Sequence, residues 1–388
     1  MALQSSGNFN SFLRKYSMYI ALIVIMITFT ITTNGIFLTP RNLTNLLFQT
    51  SYIAVLAIGV VLLIISGNTD LSLGSLTGLV GGIMAILHVR FGLNTPLALL
   101  SGVCAGVLAG LWHGHWVALR GIPAFIVTLA GMLSYRGVLI MLTRGETVGP
   151  LNDSFRVIGQ GYLPRINENL PINDSTMILG IIISIIFILS KIHSRKTRQS
   201  HDLHVIKLPL FITSLFVASL VIFGAFLVIA SFRGLPISAL ILIILTMLLH
   251  YLATRTPFGR YVYAIGGNAE AAKLSGISNK KVIFCLYILM GSLVAVSATL
   301  FTARLNSATA SAGTMFEFDA ITSAIIGGAS IMGGEGSVIG AVIGALVIGA
   351  LNNGMGLMNI PTDRQQIIKG LILLLVVWFD ISMRKKRR

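Results

Sequence analysis

Long apolar runs separated by short polar breaks fill this chain. A bilayer span needs about 20 mostly apolar residues. Twelve segments reach or approach that length: 16–36, 46–66, 71–89, 97–118, 122–142, 176–192, 208–230, 236–253, 282–303, 320–333, 337–357 and 366–381. The third and tenth are the weakest, being rich in Gly, Ser and Thr, and the tenth is too short to cross alone. Ten full spans with re-entrant or broken pieces therefore fits as well as twelve. The pattern predicts an all-α polytopic membrane protein of about 10–12 transmembrane or re-entrant helices. The first run follows Arg14 and Lys15 and ends in Thr-Thr-Asn-Gly. It lacks a small-x-small cleavage site and reads as a retained anchor.

Composition agrees. Hydrophobic residues make up 55% of 388 positions and charged residues 10%, against about 25% charged in a soluble domain. Mean hydropathy is +0.88, so lipid is the solvent. The net charge of +16 invites a nucleic-acid reading, but the basic residues cluster between apolar runs, as orienting charges do. With the N-terminus inside, most of the 28 basic residues fall inside, including Lys191, Arg195, Lys196, Arg198 and the run Arg384–Arg388. The positive-inside rule then puts both termini in the cytoplasm of a multi-pass protein of the cell (inner) membrane. Residues 143–175 form a long outer loop; 193–207 form a basic, mobile inner loop; 254–281 form a second inner loop. No stretch could hold a separate soluble domain, so 1–388 reads as one transmembrane domain.

An internal echo is visible. Gly74-Ser75, Gly78 and Gly82 match Gly336-Ser337, Gly340 and Gly344 at constant offset, with Asp70 and Glu335 just before each Gly-Ser pair. Repeated halves are common in transporters, and glycine-rich helix packing gives the same pattern. If every segment spans, the two copies point the same way.

Enzyme chemistry is not indicated. No G-x-x-x-x-G-K-[ST], H-E-x-x-H or G-x-S-x-G occurs, so the chain carries no phosphate loop and no recognisable hydrolase centre. His113 and His115 diverge on a helix and cannot share a metal there. Cys104 and Cys285 both lie inside apolar runs and do not read as a disulfide. No cofactor or metal is expected. Polar groups beside the two broken segments, around 68–75 and 327–337, are candidates for a hydrated path: Asn68, Thr69, Asp70, Ser72, Thr77, Thr128 and Ser330. Interhelical bonding accounts for each one singly. Asp70 also fits as a helix cap. Arg136 and Lys369 fit as paired or snorkelling cations, and Glu317 and Asp319 as acids at a helix N-terminus.

The inner loop FGRYVYAIGGNAEAAKLSGISNKK, 258–281, is the most informative stretch. Gly266-Gly267 break the preceding structure, Asn268 caps a helix of about two turns, and Gly276 stops it in the left-handed cap position. So short a helix is marginal in water, and makes sense if it docks onto something.

GGNAEAAKLSGI resembles the cytoplasmic coupling motif of permeases in the ribose/xylose/galactose branch of ATP-binding-cassette importers. DLSLGS (70–75), IPAFIVTLAGMLSYRG (122–137) and AIIGGASIMGGEGSVIGAVIGAL (324–346) resemble further stretches of that family in the same order. The likeness covers about 40–380 and is weaker over 144–207. It implies that Gly266, Gly267, Asn268, Glu270, Ala271, Ala272, Ser275 and Gly276 couple the chain to a cytoplasmic ATPase subunit. It also implies a homodimer of permeases, an extracytoplasmic sugar-binding protein, and alternating access for a small neutral sugar, D-xylose foremost. The alternatives are another sugar (ribose, galactose or a furanose signal molecule) and an ion-coupled secondary transporter, which would need paired acids near mid-membrane.

Overall fold

The computed structural model describes residues 18–203 and 205–385, except for the side chains of 379, 380 and 383–385. Arg14, Lys15 and the end of the basic C-terminal run lie outside the described residues. The helices are α1 (Met18–Thr32), α2 (Pro40–Ile65), α3 (Leu73–Val89), α4 (Thr95–Gly114), α5 (Ala124–Thr143), α6 (Asp153–Gln160), α7 (Asp174–Ser200), α8 (Leu208–Ala230), α9 (Ile237–Arg255), α10 (Pro257–Gly267), α11 (Ala269–Leu274), α12 (Asn279–Leu305), α13 (Phe316–Ile326), α14 (Val338–Leu357) and α15 (Thr362–Lys385). A π turn, His115–Leu119, prolongs α4. Strand pairing among the described residues is limited to two isolated bridges, Val148–Ala308 and Tyr162–Pro236.

Local chemistry sets the helix starts. Thr39 caps α2, with Pro40 next; Asn94 caps α4; Asn173 caps α7; Ser337 caps α14. Each side chain accepts from a backbone N–H that the helix leaves unpaired. Among the described residues, eight helices are long and apolar enough to cross a bilayer: α2, α4 with its π turn, α5, α7, α8, α9, α12 and α14. α1 and α3 are apolar but shorter. The chain is thus a multi-pass α-helical membrane protein.

α2 is the axle. From Ile53 to Ile65 every residue is buried, and α9, α12, α13 and α14 pack around it. A helix apolar on all sides belongs in the centre of a bundle. α12 lies against α4 through small residues, where Gly106 and Gly110 meet the backbone at Gly291 and Tyr287. Close backbone approach of this kind is how helices associate in lipid, where no hydrophobic force separates them from their solvent.

The two weak segments are both built around breaks. α3 follows an irregular stretch at 66–72. The tenth segment is a half-length helix, α13, with irregular backbone at 306–315 before it and 327–337 after it. The two glycine series grip opposite ends of this broken segment. Gly74 and Gly78 lie on the carbonyls of Gly313 and Ala312; Gly340 and Gly344 lie on those of Gly327 and Ser323.

Two expectations are corrected. The basic stretch from 193 is not a loop at its start: α7 runs on to Ser200. Lys, Arg and Gln are strong helix formers, so hydropathy ended at 192 while the backbone did not. The Gly266-Gly267 pair stays inside the last turn of α10, and the break falls at Asn268. Cys104 and Cys285 are free and exposed.

Candidate functional site

At one end of the bundle, α11 packs on α10 and the start of α12. Asn268 Oδ1 accepts from the N–H groups of Glu270 (3.1 Å) and Ala271 (3.0 Å). At the other end Gly276 has φ +84°, its N–H donates to Lys273 O, and that of Ile277 donates to Ala272 O, both at 3.0 Å. These two bonds with a left-handed residue form a Schellman stop. Asn279 Nδ2 ties the helix to the start of α12 through Ala269 O at 2.8 Å. Within α11 only Ala272 is buried; Glu270, Ala271, Lys273 and Leu274 are exposed, as are the flanking Ser275 and Gly276. Leu274 is 90% exposed, and sequence reasoning left it out of the coupling set. Its signal was a large apolar side chain on a short helix in a polar loop.

α10 supports this end. Gly266 lies directly on Ile65 O at the close of α2, and 2.6 Å separates a Cβ there from Gly334 N. Gly334 N–H donates to Ile65 O at 2.8 Å, and Tyr263 Oη donates to Gly336 O at 2.9 Å. The α10–α11 unit is therefore fastened to α2 and to the 327–337 loop.

The irregular stretch 66–72 satisfies itself, as backbone inside a membrane bundle must. Asn68 Nδ2 donates to Ser66 Oγ at 3.0 Å. Thr69 O accepts from Tyr287 Oη at 3.2 Å. Asp70 Oδ1 accepts from the N–H and Oγ of Ser72 at 2.8 and 2.7 Å; α3 starts at Leu73 with Ser72 as its N-cap, so Asp70 holds the capping residue and is not itself the expected cap. Its second oxygen lies 3.7 Å from His113 Nδ1, and His113 Nε2 meets Tyr135 Oη at 3.1 Å. The Asp70–His113–Tyr135 chain joins the break to α4 and α5, and no local pattern signals it.

The other path candidates are buried and locally bonded. Thr77 Oγ1 donates to Leu73 O, and Thr128 Oγ1 to Ala124 O; Ser330 Oγ accepts from Met332 N. Arg136 Nη1 donates to Ala310 O and Ala312 O at 2.9 and 2.7 Å. Lys369 does not snorkel: its Nζ lies 3.0 Å from Asp319 Oδ1, which makes the pair an internal crosslink between α13 and α15. Glu317 and Asp319 occupy the first turn of α13, as expected, and both are buried.

At the end of the bundle opposite α11, near α6, a vestibule of about 800 Å³ opens among Asn42, Asn45, Phe48, Tyr162, Phe232 and Arg233. Two amides, three aromatic rings and the guanidinium groups of Arg41 and Arg233 line it, together with Ile36 and Leu357.

Residues 42–377 match the family described as "Branched-chain amino acid transport system / permease component". The chain belongs to this permease family. The xylose transport system permease protein XylH of Haemophilus influenzae is 46% identical over 374 residues, 96% of this chain and 98% of that protein. XylH of Escherichia coli K12 is 40% identical over 390 residues, 100% and 97% of the two chains. The ribose import permease protein RbsC of Bacillus subtilis is 30% identical over 385 residues, 99% and 97%. No solved structure matches the permease.

Proposed function

We propose that this permease carries D-xylose across the cell (inner) membrane by alternating access, as the transmembrane subunit of an ATP-binding-cassette importer. Two copies form the pathway. An extracytoplasmic sugar-binding protein delivers the sugar at the vestibule end, and cytoplasmic ATPase subunits grip α11 at the other. Both termini then lie in the cytoplasm and the chain acts as one transmembrane domain without covalent chemistry of its own.

The observation that carries this reading is α11. A six-residue helix is marginal alone, yet here Asn268 and Gly276 fix both ends while almost all of its surface, Leu274 included, is left bare. Such an element is preorganised for a partner. The coupling set Gly266, Gly267, Asn268, Glu270, Ala271, Ala272, Ser275 and Gly276 gains Leu274 as its apolar anchor. The sugar assignment follows the xylose permeases among its relatives.

The test is labelled-sugar uptake by cells that express the permease with its ATPase and binding protein and lack other xylose transporters. Xylose uptake that survives a proton ionophore while ATP is maintained supports the reading. Uptake abolished by the ionophore, or uptake of leucine but not xylose, overturns it.

A further inference from the structure

A second, deeper cavity of about 240 Å³ lies between α2, α13, α14 and α15. Its wall is polar and aromatic, with Thr50, Tyr52, Asp319, Asn352 and Lys369 among its lining residues. Most polar groups in the bundle are spent on one another. Two in this wall are not: Thr50 Oγ1 and Asn352 Oδ1 are buried with no hydrogen-bond partner. Thr50 is 1% exposed. A buried acceptor or hydroxyl without a partner carries a desolvation penalty, and in a cavity wall it marks where a ligand's hydroxyl completes the bond.

The cavity lies along the same face of α2 as the vestibule. Asn42, Asn45, Gln49 and Tyr52 recur at three- and four-residue spacing, so they share one face of α2. The first two line the vestibule and the last two line the cavity. Asn353 bridges the turn between, its Nδ2 donating to Asn42 Oδ1 at 3.1 Å and to Gln49 Oε1 at 3.4 Å.

We propose that this cavity is a polyol subsite on the transport route, taking one small neutral sugar whose hydroxyls bond Thr50, Asn352 and the Asp319–Lys369 pair over the Tyr52 ring. The proposal rests on the sugar-permease reading and gives that route its residues. The cavity lies below the roughly 300–1,000 Å³ of drug-sized pockets, which suits a single small ring. The chemistry favours a neutral guest. Asp319 and Lys369 already neutralise each other at 3.0 Å, so a zwitterion would have to split them, whereas a vicinal diol bonds both without disturbing the pair. Tyr52 and Phe316 stack with ring centroids 5.2 Å apart, which adds an aromatic floor.

The test uses the full chain purified in detergent. Thermal unfolding is followed against D-xylose, xylitol and leucine for the parent, Thr50→Val, Thr50→Ser and Asn352→Leu. Xylose is expected to raise the melting temperature of the parent, with xylitol next and leucine without effect. Thr50→Val and Asn352→Leu are expected to shift the protecting concentration at least fivefold upward, while Thr50→Ser, which keeps the hydroxyl, stays within twofold of the parent. Absence of xylose protection in the parent overturns the subsite. So does protection unchanged in both Thr50→Val and Asn352→Leu, or leucine protection equal to that of xylose. The function is judged separately, by uptake in cells: protection without xylose uptake would sink the importer reading and leave the subsite standing.

Discussion

The backbone N–H of Gly334 donates to the carbonyl of Ile65 at 2.8 Å. One bond thus joins the last residue of the central helix α2 to the loop between α13 and α14, with Gly266 of α10 pressed against the same carbonyl. The junction ties α10 to α2 and to the loop that leads into α14. A Cβ at Gly266 would collide with Ile65 O and Gly334 N. Gly266→Ala should lower stability by about 1–3 kcal/mol, the cost of overpacking, and suppress uptake more than its effect on folding explains. Melting temperature and uptake measured on matched membrane levels check this.

Leu274→Asp should leave insertion and unfolding of the permease almost unaltered, since the side chain is 90% exposed. Uptake should fall by a factor of about 30, corresponding to about 2 kcal/mol at an interface anchor. Copurification with the ATPase subunit gives the second readout, and normal copurification with normal uptake would refute the docking role.

Loss of either cap should weaken α11 locally. Asn268→Ala removes two accepted bonds at a cost of about 1 kcal/mol. Gly276→Val forces a β-branched residue to φ +84°, at about 1–2 kcal/mol. Both should raise hydrogen exchange in 268–277 alone, and the double replacement of Glu270 and Gly276 should uncouple transport with insertion intact.

Asp319 and Lys369 form a largely buried pair, so removing one partner strands the other. Asp319→Asn or Lys369→Met should each destabilise the bundle by about 3–5 kcal/mol. The double variant should recover most of that, which a double-mutant cycle in thermal melts reads directly.

Asp70→Ala should cost more than Asp70→Asn. The asparagine retains an oxygen for the Ser72 N–H and Oγ, whereas alanine leaves both donors buried and unpaired, at about 1–3 kcal/mol each. Melting temperatures of the two variants rank them.

What the sequence made legible was local. Asn268 and Gly276 state their own roles within ten residues. The spans were legible because bilayer thickness sets their length. What escaped was long-range or masked by propensity. The partners Asp319 and Lys369 lie fifty residues apart on different helices, and Asp70 finds His113 only when α4 folds back past the break. The basic end of α7 escaped because the residues that end a hydropathy window are good helix formers.

The α7–α8 hairpin has a consequence of its own. Its polar ties to the rest of the chain gather at one end, where Asn173 Nδ2 bonds Leu163 O and Arg233 O, and Thr176 Oγ1 receives Leu235 N–H. From Leu208 onward α8 buries little besides Ala230. The pair is a cantilever, clamped near α6 with its tip at the far end. A fluorophore or an inserted domain at that tip would ride on the bilayer rather than on the bundle, and would report the membrane around the permease without interfering with what passes through it.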